Sequence, residues 1–235
     1  MEEVKYKCPE CKDTGMIWTR DAKGYDYVRK CKCLEIKEAK ERLERSGLAR
    51  EFKEKRFDNY NTYGNEKLEV AKSKCESYVK HTIDNDGKLP SLLLCGQVGA
   101  GKTHLGTASS VALINAGMSV KYMCYREEMT SLKAKVMDEV AYTCEINRLK
   151  QARVLFIDDF LKGKITESDI NIIYEIVNYR YNNDLPIIIS TEKDLDGLIN
   201  FDEAIGSRII EMCKGFIVVF RGKELNHRLY KGGVA

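Results

Sequence analysis

Gly96-Gln97-Val98-Gly99-Ala100-Gly101-Lys102-Thr103 is the stretch that decides the fold of this chain. It follows the pattern G-x-x-x-x-G-K-[ST], in which glycines let the backbone curl around a phosphate with successive N–H groups pointing inward. An apolar run at 91–95 precedes it and a helix-like stretch at 104–115 follows it. This order predicts a strand, a phosphate loop and a helix whose N-terminus faces the phosphates. A chance glycine-rich turn would not explain the flanking segments.

The loop also predicts the ligands of the site. Lys102 supplies a cation for the β- and γ-phosphates, and the hydroxyl of Thr103 is a ligand for Mg²⁺. We therefore expect ATP and Mg²⁺ as cofactors, with all of residues 96–103 and the following His104 at the nucleotide.

A second motif consists of an apolar run that ends in two carboxylates, Val154 to Asp159. Such a run is typical of a buried parallel strand. We expect Asp158 to hold Mg²⁺ directly or through water, and Asp159 to orient or deprotonate the attacking water. The alternative is a strand that simply ends in a solvated acidic turn.

Composition bounds the class of protein. The chain has 235 residues, 43% of them hydrophobic and 32% charged, which suits one globular domain with a small appendage. No apolar stretch approaches the length of a membrane span, and the N-terminus lacks the apolar core of a signal peptide. We expect a cytoplasmic protein without a membrane partner. The basic excess before residue 57 indicates either a nucleic-acid or acidic partner, or a solvated helix.

The nine cysteines fall into two groups, and a reducing compartment argues against disulfides in both. Five are scattered singly and are expected to be small core residues: Cys75, Cys95, Cys124, Cys144 and Cys213. The other four form the pairs Cys8-Pro9-Glu10-Cys11 and Cys31-Lys32-Cys33.

The clustered cysteines flank two short predicted strands, 16–18 and 25–28. So small a segment cannot bury enough apolar surface to fold unaided. A tetrahedral site in which Cys8, Cys11, Cys31 and Cys33 bind structural Zn²⁺ would supply the missing stability. An iron–sulfur cluster and free thiols are the alternatives.

The remaining pattern alternates helix and strand. Helices are predicted at 34–45 and 67–84, with a polar connector at 50–63. Strands are predicted at 91–95, 119–125, 153–157, 186–191 and 216–220. Such alternation predicts an α/β fold with a five-stranded parallel sheet covered on both faces. We divide the chain into a zinc-binding module (1–34), a basic helical linker (35–60) and an ATPase domain (61–235).

These motifs resemble the AAA+ ATPases of the DnaC/DnaI helicase-loader and IstB transposition-helper group, over about residues 47–230. The segments that carry the resemblance are FKEKRFDNY (52–60), LLLCGQVGAGKTHL (92–105), VLFIDDF (154–160), IIISTEKDL (187–195), IGSRI (205–209) and GKELNHRL (222–229). The resemblance implies a P-loop core without a C-terminal lid domain, for which the seven residues after Arg228 leave no room. It also implies slow ATP hydrolysis, self-association, contact with single-stranded DNA and delivery of a ring-shaped replicative helicase. The cysteine-rich N-terminus is similar to that of DnaI-type and phage-encoded loaders, whereas IstB-type helpers generally lack it.

The resemblance also implies roles for four further residues. Thr191 lies near the position of a polar sensor for the γ-phosphate, Arg208 matches an arginine finger that acts on a neighbouring subunit, and Arg228 matches the second sensor. Phe57 is expected to pack near the adenine. Each has a structural alternative: a helix cap for Thr191, a surface charge for Arg208, a frayed end for Arg228 and a core or hinge contact for Phe57.

Three other functions compete with helicase loading. A transposition helper of the same fold would bind duplex DNA, and the N-terminal cysteines argue against it. A nucleoside or nucleotide kinase also uses a phosphate loop, but the Asp-Asp strand end, the Gly-Ser-Arg element and the lack of an Arg-rich lid argue against it. A non-hydrolysing ATP-gated adaptor would need Lys102 and Thr103 but neither Asp159 nor Arg208.

Overall fold

The computed structural model describes residues 6–20, 24–45, 54–85 and 88–230. Its N-terminal part is an antiparallel hairpin of β1 (Met16–Arg20) and β2 (Asp26–Lys30), followed by helix α1 (Lys32–Arg45). The predicted hairpin and helix are confirmed. The tip of the predicted turn, residues 21–23, lies outside the described residues, as does the segment 46–53 that follows α1.

The rest of the chain alternates helix and strand. Its elements are α2 (Glu66–Asp84), β3 (Leu92–Gly96), α3 (Lys102–Asn115), β4 (Val120–Cys124), α4 (Tyr125–Lys135), α5 (Glu139–Lys150), β5 (Val154–Phe160), α6 (Glu167–Asn182), β6 (Ile187–Thr191), α7 (Leu195–Phe201), α8 (Glu203–Met212), β7 (Ile217–Phe220) and α9 (His227–Tyr230). A short 3₁₀ turn, Lys223–Leu225, separates the last two. Each of the five predicted core strands is present.

Within the described residues the larger sheet has five parallel strands in the order β4-β5-β6-β3-β7. Its strands are buried on both faces, because alternate residues enter two separate hydrophobic clusters. In β3, Leu92 and Leu94 join the cluster that includes α2 and α3, and Leu93 joins the one that includes α6. The carboxyl ends of parallel strands meet at one edge of the sheet, so this topology brings the ends of β3, β5 and β6 together.

Strand β5 is longer and less regular than the sequence predicts. Its pairing with β6 is regular up to Ile157 and resumes at Phe160, which lies opposite Thr191. Asp159 and Leu161 adopt the left-handed conformation, with φ of 54° and 61°. A bulge of this kind re-aims side chains, and here it lies at the two carboxylates.

A buried arginine, which the sequence analysis did not single out, fixes the loop that leads into β5. Arg180 on α6 is fully buried, and its guanidinium donates to the backbone oxygens of Leu149, Lys150, Ala152 and Pro186 at 2.6–3.1 Å. These bonds tie α6 to the end of α5 and to the start of β6. Arg180 therefore links the segments that lead into the amino ends of β5 and β6.

The scattered cysteines divide between core and surface. Cys75, Cys95 and Cys213 are buried as expected, and Cys124 is half-buried. The expectation is wrong for Cys144, which is exposed. It lies on α5, whose buried face is formed by Ile146 and Leu149, so the helical period turns Cys144 outward.

None of the helices in the described part of the chain has the length and apolar character needed to span a membrane.

Candidate nucleotide site and metal centre

The phosphate loop links β3 to α3 in a conformation that depends on glycine. Gly99 and Gly101 have φ of 74° and 84°, which residues with a side chain rarely adopt. Any larger residue at position 101 would also collide with a neighbour, because a Cβ there would lie 2.5 Å from ring atom Cε2 of Tyr60. The hydroxyl of Tyr60 donates to the carbonyl oxygen of Ala100 at 3.0 Å. Tyr60 therefore supports the loop from outside, a role that no sequence motif indicated.

Lys102 lies at the start of α3 and is only 7% exposed. Its Nζ donates to the carbonyl oxygens of Gly96 and Gln97 at 2.8 and 2.7 Å, so the ammonium is held inside the loop. Burial lowers the pKa of Lys102, whereas the carboxylates of Glu192 and Asp159 act against that lowering. A phosphate in the loop would satisfy the same cation.

Asp158 is a buried carboxylate, 5% exposed, at the centre of the site. It accepts hydrogen bonds from the hydroxyls of Thr103 at 2.9 Å and Tyr122 at 3.0 Å, and from the hydroxyl of Ser190. A carboxylate next to a threonine hydroxyl is the oxygen donor set that Mg²⁺ prefers. Thr103 and Asp158 therefore fit the expected metal. Tyr122 and Ser190 were missed, although each is a polar residue inside an apolar strand.

Asp159 points to the open side of the site. It is about as exposed as its partner Lys162, whose Nζ lies 2.9 Å from Asp159 Oδ2 and 3.3 Å from Glu192 Oε1. The backbone N–H of Asp159 donates to Ser190 Oγ at 3.0 Å. The bulge in β5 thus separates the two acids, with Asp158 buried and Asp159 facing solvent.

These groups line a cavity of about 470 Å³. The predicted site residues that line it are Val98, Gly99, Gly101, Lys102, Thr103, His104, Asp158, Asp159 and Arg228. Lys55, Tyr122, Cys124, Glu127, Lys162 and Glu192 complete the lining and were not predicted. Gly96, Gln97 and Ala100 belong to the same loop but are not among the residues that line the cavity; their backbone oxygens accept from Lys102 and Tyr60.

The connector before α2 packs on one side of the loop. His104 Nε2 lies 2.8 Å from the carbonyl oxygen of Arg56, and the rings of His104 and Tyr60 meet edge to face with centroids 5.2 Å apart. Burial lowers the pKa of His104, which favours the neutral form of its imidazole. Phe57 packs against the hydrophobic cluster that contains Tyr60 and is not part of the cavity lining.

The C-terminal segment closes the other side of the loop. The N–H of His227 donates to the carbonyl oxygen of Gly99 at 3.2 Å, and the side chain of Asn226 accepts from the N–H of Arg228 at 3.1 Å. Leu225 anchors this segment in the core. As a result, Arg228 reaches the cavity.

Like Phe57, the predicted site residues Thr191 and Arg208 do not line this cavity. Thr191 is fully buried, and its hydroxyl donates to the carbonyl oxygen of Phe160 at 2.8 Å; the side chain that enters the cavity from this strand end is that of Glu192. Arg208 lies on α8, donates to the carbonyl oxygen of Ala204 at 2.7 Å and is 5.6 Å from two tyrosine rings. It is not among the groups around its own chain's nucleotide cavity.

The four N-terminal cysteines converge. Their sulfur atoms all lie within 4.8 Å of one another, with Cys8 3.7 Å from Cys31 and Cys11 3.4 Å from Cys33. Sulfurs around tetrahedral zinc, at Zn–S distances of about 2.3 Å, lie about 3.8 Å apart. The cluster could therefore hold zinc.

Two hydrogen bonds from backbone N–H groups fix the loop that carries Cys8 and Cys11. The N–H of Gly15 points to Cys11 Sγ at 3.3 Å, and the carboxylate of Asp13 accepts from the N–H of Cys8 at 2.8 Å. Cys33 lies on the first turn of α1. The cluster thus joins the N-terminal loop, the hairpin and α1.

The parallel sheet, the phosphate loop after β3 and the acid pair on β5 define a P-loop ATP-binding protein of the AAA+ class. The chain matches the family of IstB-like ATP binding proteins over residues 35–210, and it belongs to that family.

The chain is also similar to individual proteins and to a solved structure. Phage-like element PBSX protein XkdC of Bacillus subtilis (strain 168) is 36% identical over 96% of this chain and 87% of its own. Replicative helicase loader DnaC of Escherichia coli (strain K12) is 26% identical over 72% of this chain and 67% of its own. The crystal structure of a DnaC helicase loader matches with a TM-score of 0.65 and 24% identity, over 73% of this chain and 99% of that one. This structural likeness establishes the fold.

The cysteine cluster gives a first testable prediction. The purified protein should contain about one zinc per chain, and Cys8→Ser should lose the metal and unfold the hairpin, because the hairpin has little core of its own. ATP binding should persist, since the cavity lies on a separate core. Zinc content and the fluorescence of Trp18, the single tryptophan of the chain, measure the two effects. Cys144→Ser, at an exposed cysteine, is the matched control. A metal-free protein with an intact hairpin would contradict the prediction.

Proposed function

We propose that this protein is an ATPase that loads a ring-shaped replicative helicase onto single-stranded DNA, and that it works as an oligomer in the cytoplasm. The observation that carries the proposal is a cavity that brings the phosphate loop and the acid pair together, in a chain related over 72% of its length to the E. coli protein named replicative helicase loader. We keep the division into a zinc-binding module (1–34), a linker (35–60) and an ATPase domain (61–235) as part of this proposal.

In this proposal the cavity hydrolyses ATP. Lys102 binds the β- and γ-phosphates, Thr103 and Asp158 bind Mg²⁺, and Asp159 accepts a proton from the attacking water. Arg228 lines the same cavity and is proposed to contact the phosphates from the C-terminal side. Because Phe57 packs against the hydrophobic cluster that contains Tyr60, its proposed role is to shape the adenine end of the site. For Thr191, whose hydroxyl bonds to the backbone, we propose that it holds the strand end from which Glu192 projects.

The zinc hairpin is the proposed docking surface for the helicase. Trp18 pairs with Val28 across the hairpin, and Met16 lies two residues away on the same face. These side chains are 76%, 44% and 43% exposed. Ion pairs of Arg20 with Asp26 and of Lys30 with Glu38 flank them. An apolar centre with a charged rim is the usual anatomy of a protein interface.

Two alternatives remain distinguishable by experiment. A transposition helper would recruit a transposase to duplex DNA, and its group generally lacks an N-terminal cysteine module. A non-hydrolysing adaptor would bind ATP without needing Asp159.

The division of roles in the cavity is tested by two substitutions. Lys102→Ala should weaken ATP binding at least tenfold, because it removes a charged hydrogen-bond donor to the phosphates. Asp159→Asn should retain ATP binding and lower the hydrolysis rate by about 10²–10⁴-fold, as expected for loss of a general base. Equilibrium binding of ATP and phosphate release measure the two quantities. Equal loss of binding in both variants would disprove the division, and unchanged turnover in Asp159→Asn would exclude its role as base.

Helicase loading is tested with the hexameric replicative helicase of the host and circular single-stranded DNA. We expect ATP-dependent transfer of the helicase to the circle, and Trp18→Ala should weaken helicase binding by about tenfold or more, as for other exposed aromatic hot spots. Val140→Ala is the matched control, because Val140 is 81% exposed on α5, away from the hairpin. Binding to a transposase in place of the helicase would favour the transposition helper.

The proposed action of Arg208 on a neighbouring subunit is tested by mixing inactive variants. Arg208→Ala subunits still bind ATP and Lys102→Ala subunits still carry Arg208, so a mixture should regain hydrolysis above either variant alone. The gain should be measurable, since an arginine finger contributes about 10³–10⁵-fold in other systems. Mixing Arg208→Ala with the double variant Lys102→Ala/Arg208→Ala is the control and should give no recovery. If co-assembled mixtures stay at background at every ratio, Arg208 does not act between subunits.

A further inference from the structure

Lys162 forms a charged cluster with two carboxylates at the open side of the nucleotide cavity. Its Nζ lies 2.9 Å from Asp159 Oδ2 and 3.3 Å from Glu192 Oε1. All three side chains line the cavity together with Lys102 and Thr103. Asp159 comes from the end of β5 and Glu192 from the residue after β6, so Lys162 bridges the two strand ends nearest the site.

The turn that carries Lys162 is fixed by the core. Its backbone N–H donates to the carbonyl oxygen of Asp159 at 3.1 Å, which closes a tight turn. The two residues between them, Phe160 and Leu161, are 2% and 4% exposed, and Leu161 adopts the left-handed conformation. These two buried residues fix the backbone at Lys162, from which its side chain reaches the cavity.

The ammonium of Lys162 neutralises negative charge at the position that the terminal phosphate of ATP would approach. Without Lys162, the carboxylates of Asp159 and Glu192 would repel the terminal phosphate of a bound ATP, because like charges a few ångströms apart in a partly buried site interact strongly. The field of the cluster reaches the phosphate loop: Glu192 and Asp159 act to raise the pKa of Lys102, and Lys162 acts to lower it. A nucleoside diphosphate lacks the γ-phosphate, so it would not contact this cluster as a nucleoside triphosphate would.

We propose that Lys162 is a sensor of the γ-phosphate that acts within its own chain, an inference that rests on the proposed ATPase function. Without the γ-phosphate, Lys162 is bound by Asp159 and Glu192. When ATP binds, its ammonium contacts the γ-phosphate and releases the Asp159 carboxylate, which is then free to accept a proton from water. The ion pair with Glu192 holds Lys162 at the cavity. Lys162 and Glu192 together then perform the sensing role that was expected of Thr191, whose side chain does not reach the cavity.

The competing explanation is that Lys162 only stabilises the turn. In that case its removal would change the stability of the fold or affect all nucleotides equally. A γ-phosphate sensor predicts a selective effect on nucleotides that carry the third phosphate.

The test compares the affinities of the full-length protein for two Mg²⁺ complexes, that of ADP and that of the non-hydrolysable ATP analogue AMPPNP. Lys162→Met should weaken AMPPNP binding about tenfold or more, as expected for loss of a charged hydrogen bond, and should change ADP binding less than about twofold, within the tolerance of such a measurement. Lys162→Arg, which keeps the charge, should retain most of the preference for AMPPNP. Lys164→Met is the matched control, because Lys164 lies two residues away and lines a neighbouring cavity instead.

Each outcome decides the inference. If wild-type protein binds both nucleotides and Lys162→Met leaves the ratio of their affinities unchanged, Lys162 is not a γ-phosphate sensor and the ATPase proposal stands. The same conclusion follows if Lys162→Met weakens both nucleotides equally. If the wild-type protein binds neither nucleotide, the ATPase proposal fails and the inference fails with it.

Discussion

The buried carboxylate of Asp158 is the constraint on which the site depends. Hydroxyl groups from α3, β4 and β6 converge on it, donated by Thr103, Tyr122 and Ser190. A buried charge needs such partners, since leaving a buried polar group unsatisfied costs about 1–3 kcal/mol, and more for a charged one. The position of the phosphate-loop helix relative to the sheet therefore depends on the hydrogen bonds that a single side chain accepts. The candidate ligand set for Mg²⁺ and the packing of α3, β4 and β6 thus depend on the same carboxylate.

The bulge in β5 explains how two adjacent acids can do different chemistry. In a regular strand, neighbouring side chains point to opposite faces of the sheet, and both faces here are buried. The left-handed conformation of Asp159 turns its carboxylate to solvent instead, while Phe160 and Leu161 return to the core. Asp158 thus remains a buried hydrogen-bond acceptor, and Asp159 is exposed to solvent and lies next to Lys162.

The sequence predicts the parts of this arrangement that follow from local patterns. Residues 96–103 form the phosphate loop because glycine spacing determines backbone shape, and the cysteine pairs converge because two short turns bring Cys8 and Cys11 opposite Cys31 and Cys33. Contacts between distant segments were not predictable in the same way. Lys162 and Glu192 are 30 residues apart in the chain and meet only because β5 and β6 are neighbours in the sheet. The same limit applies to Tyr60, which supports a loop 40 residues further along the chain. Motif position alone also gave no indication that the hydroxyl of Thr191 bonds to the backbone of β5.

Helix α1 connects the two candidate metal centres of the molecule. Its first turn carries Cys33 of the cysteine cluster, and the helix packs against α3 and β4. Of these, α3 carries Lys102 and Thr103, and β4 carries Tyr122, the hydroxyl donor to Asp158. A partner can shift the equilibrium between two states of the nucleotide site only if its contacts with the protein differ between those states. For a partner bound at the zinc hairpin, the contacts of α1 with α3 and β4 supply a physical route of this kind. Zinc bound by Cys33 would fix the first turn of α1 and so make its contacts with α3 and β4 more rigid. Loss of the metal should therefore abolish the effect of a hairpin-bound partner on nucleotide affinity, while nucleotide binding itself persists.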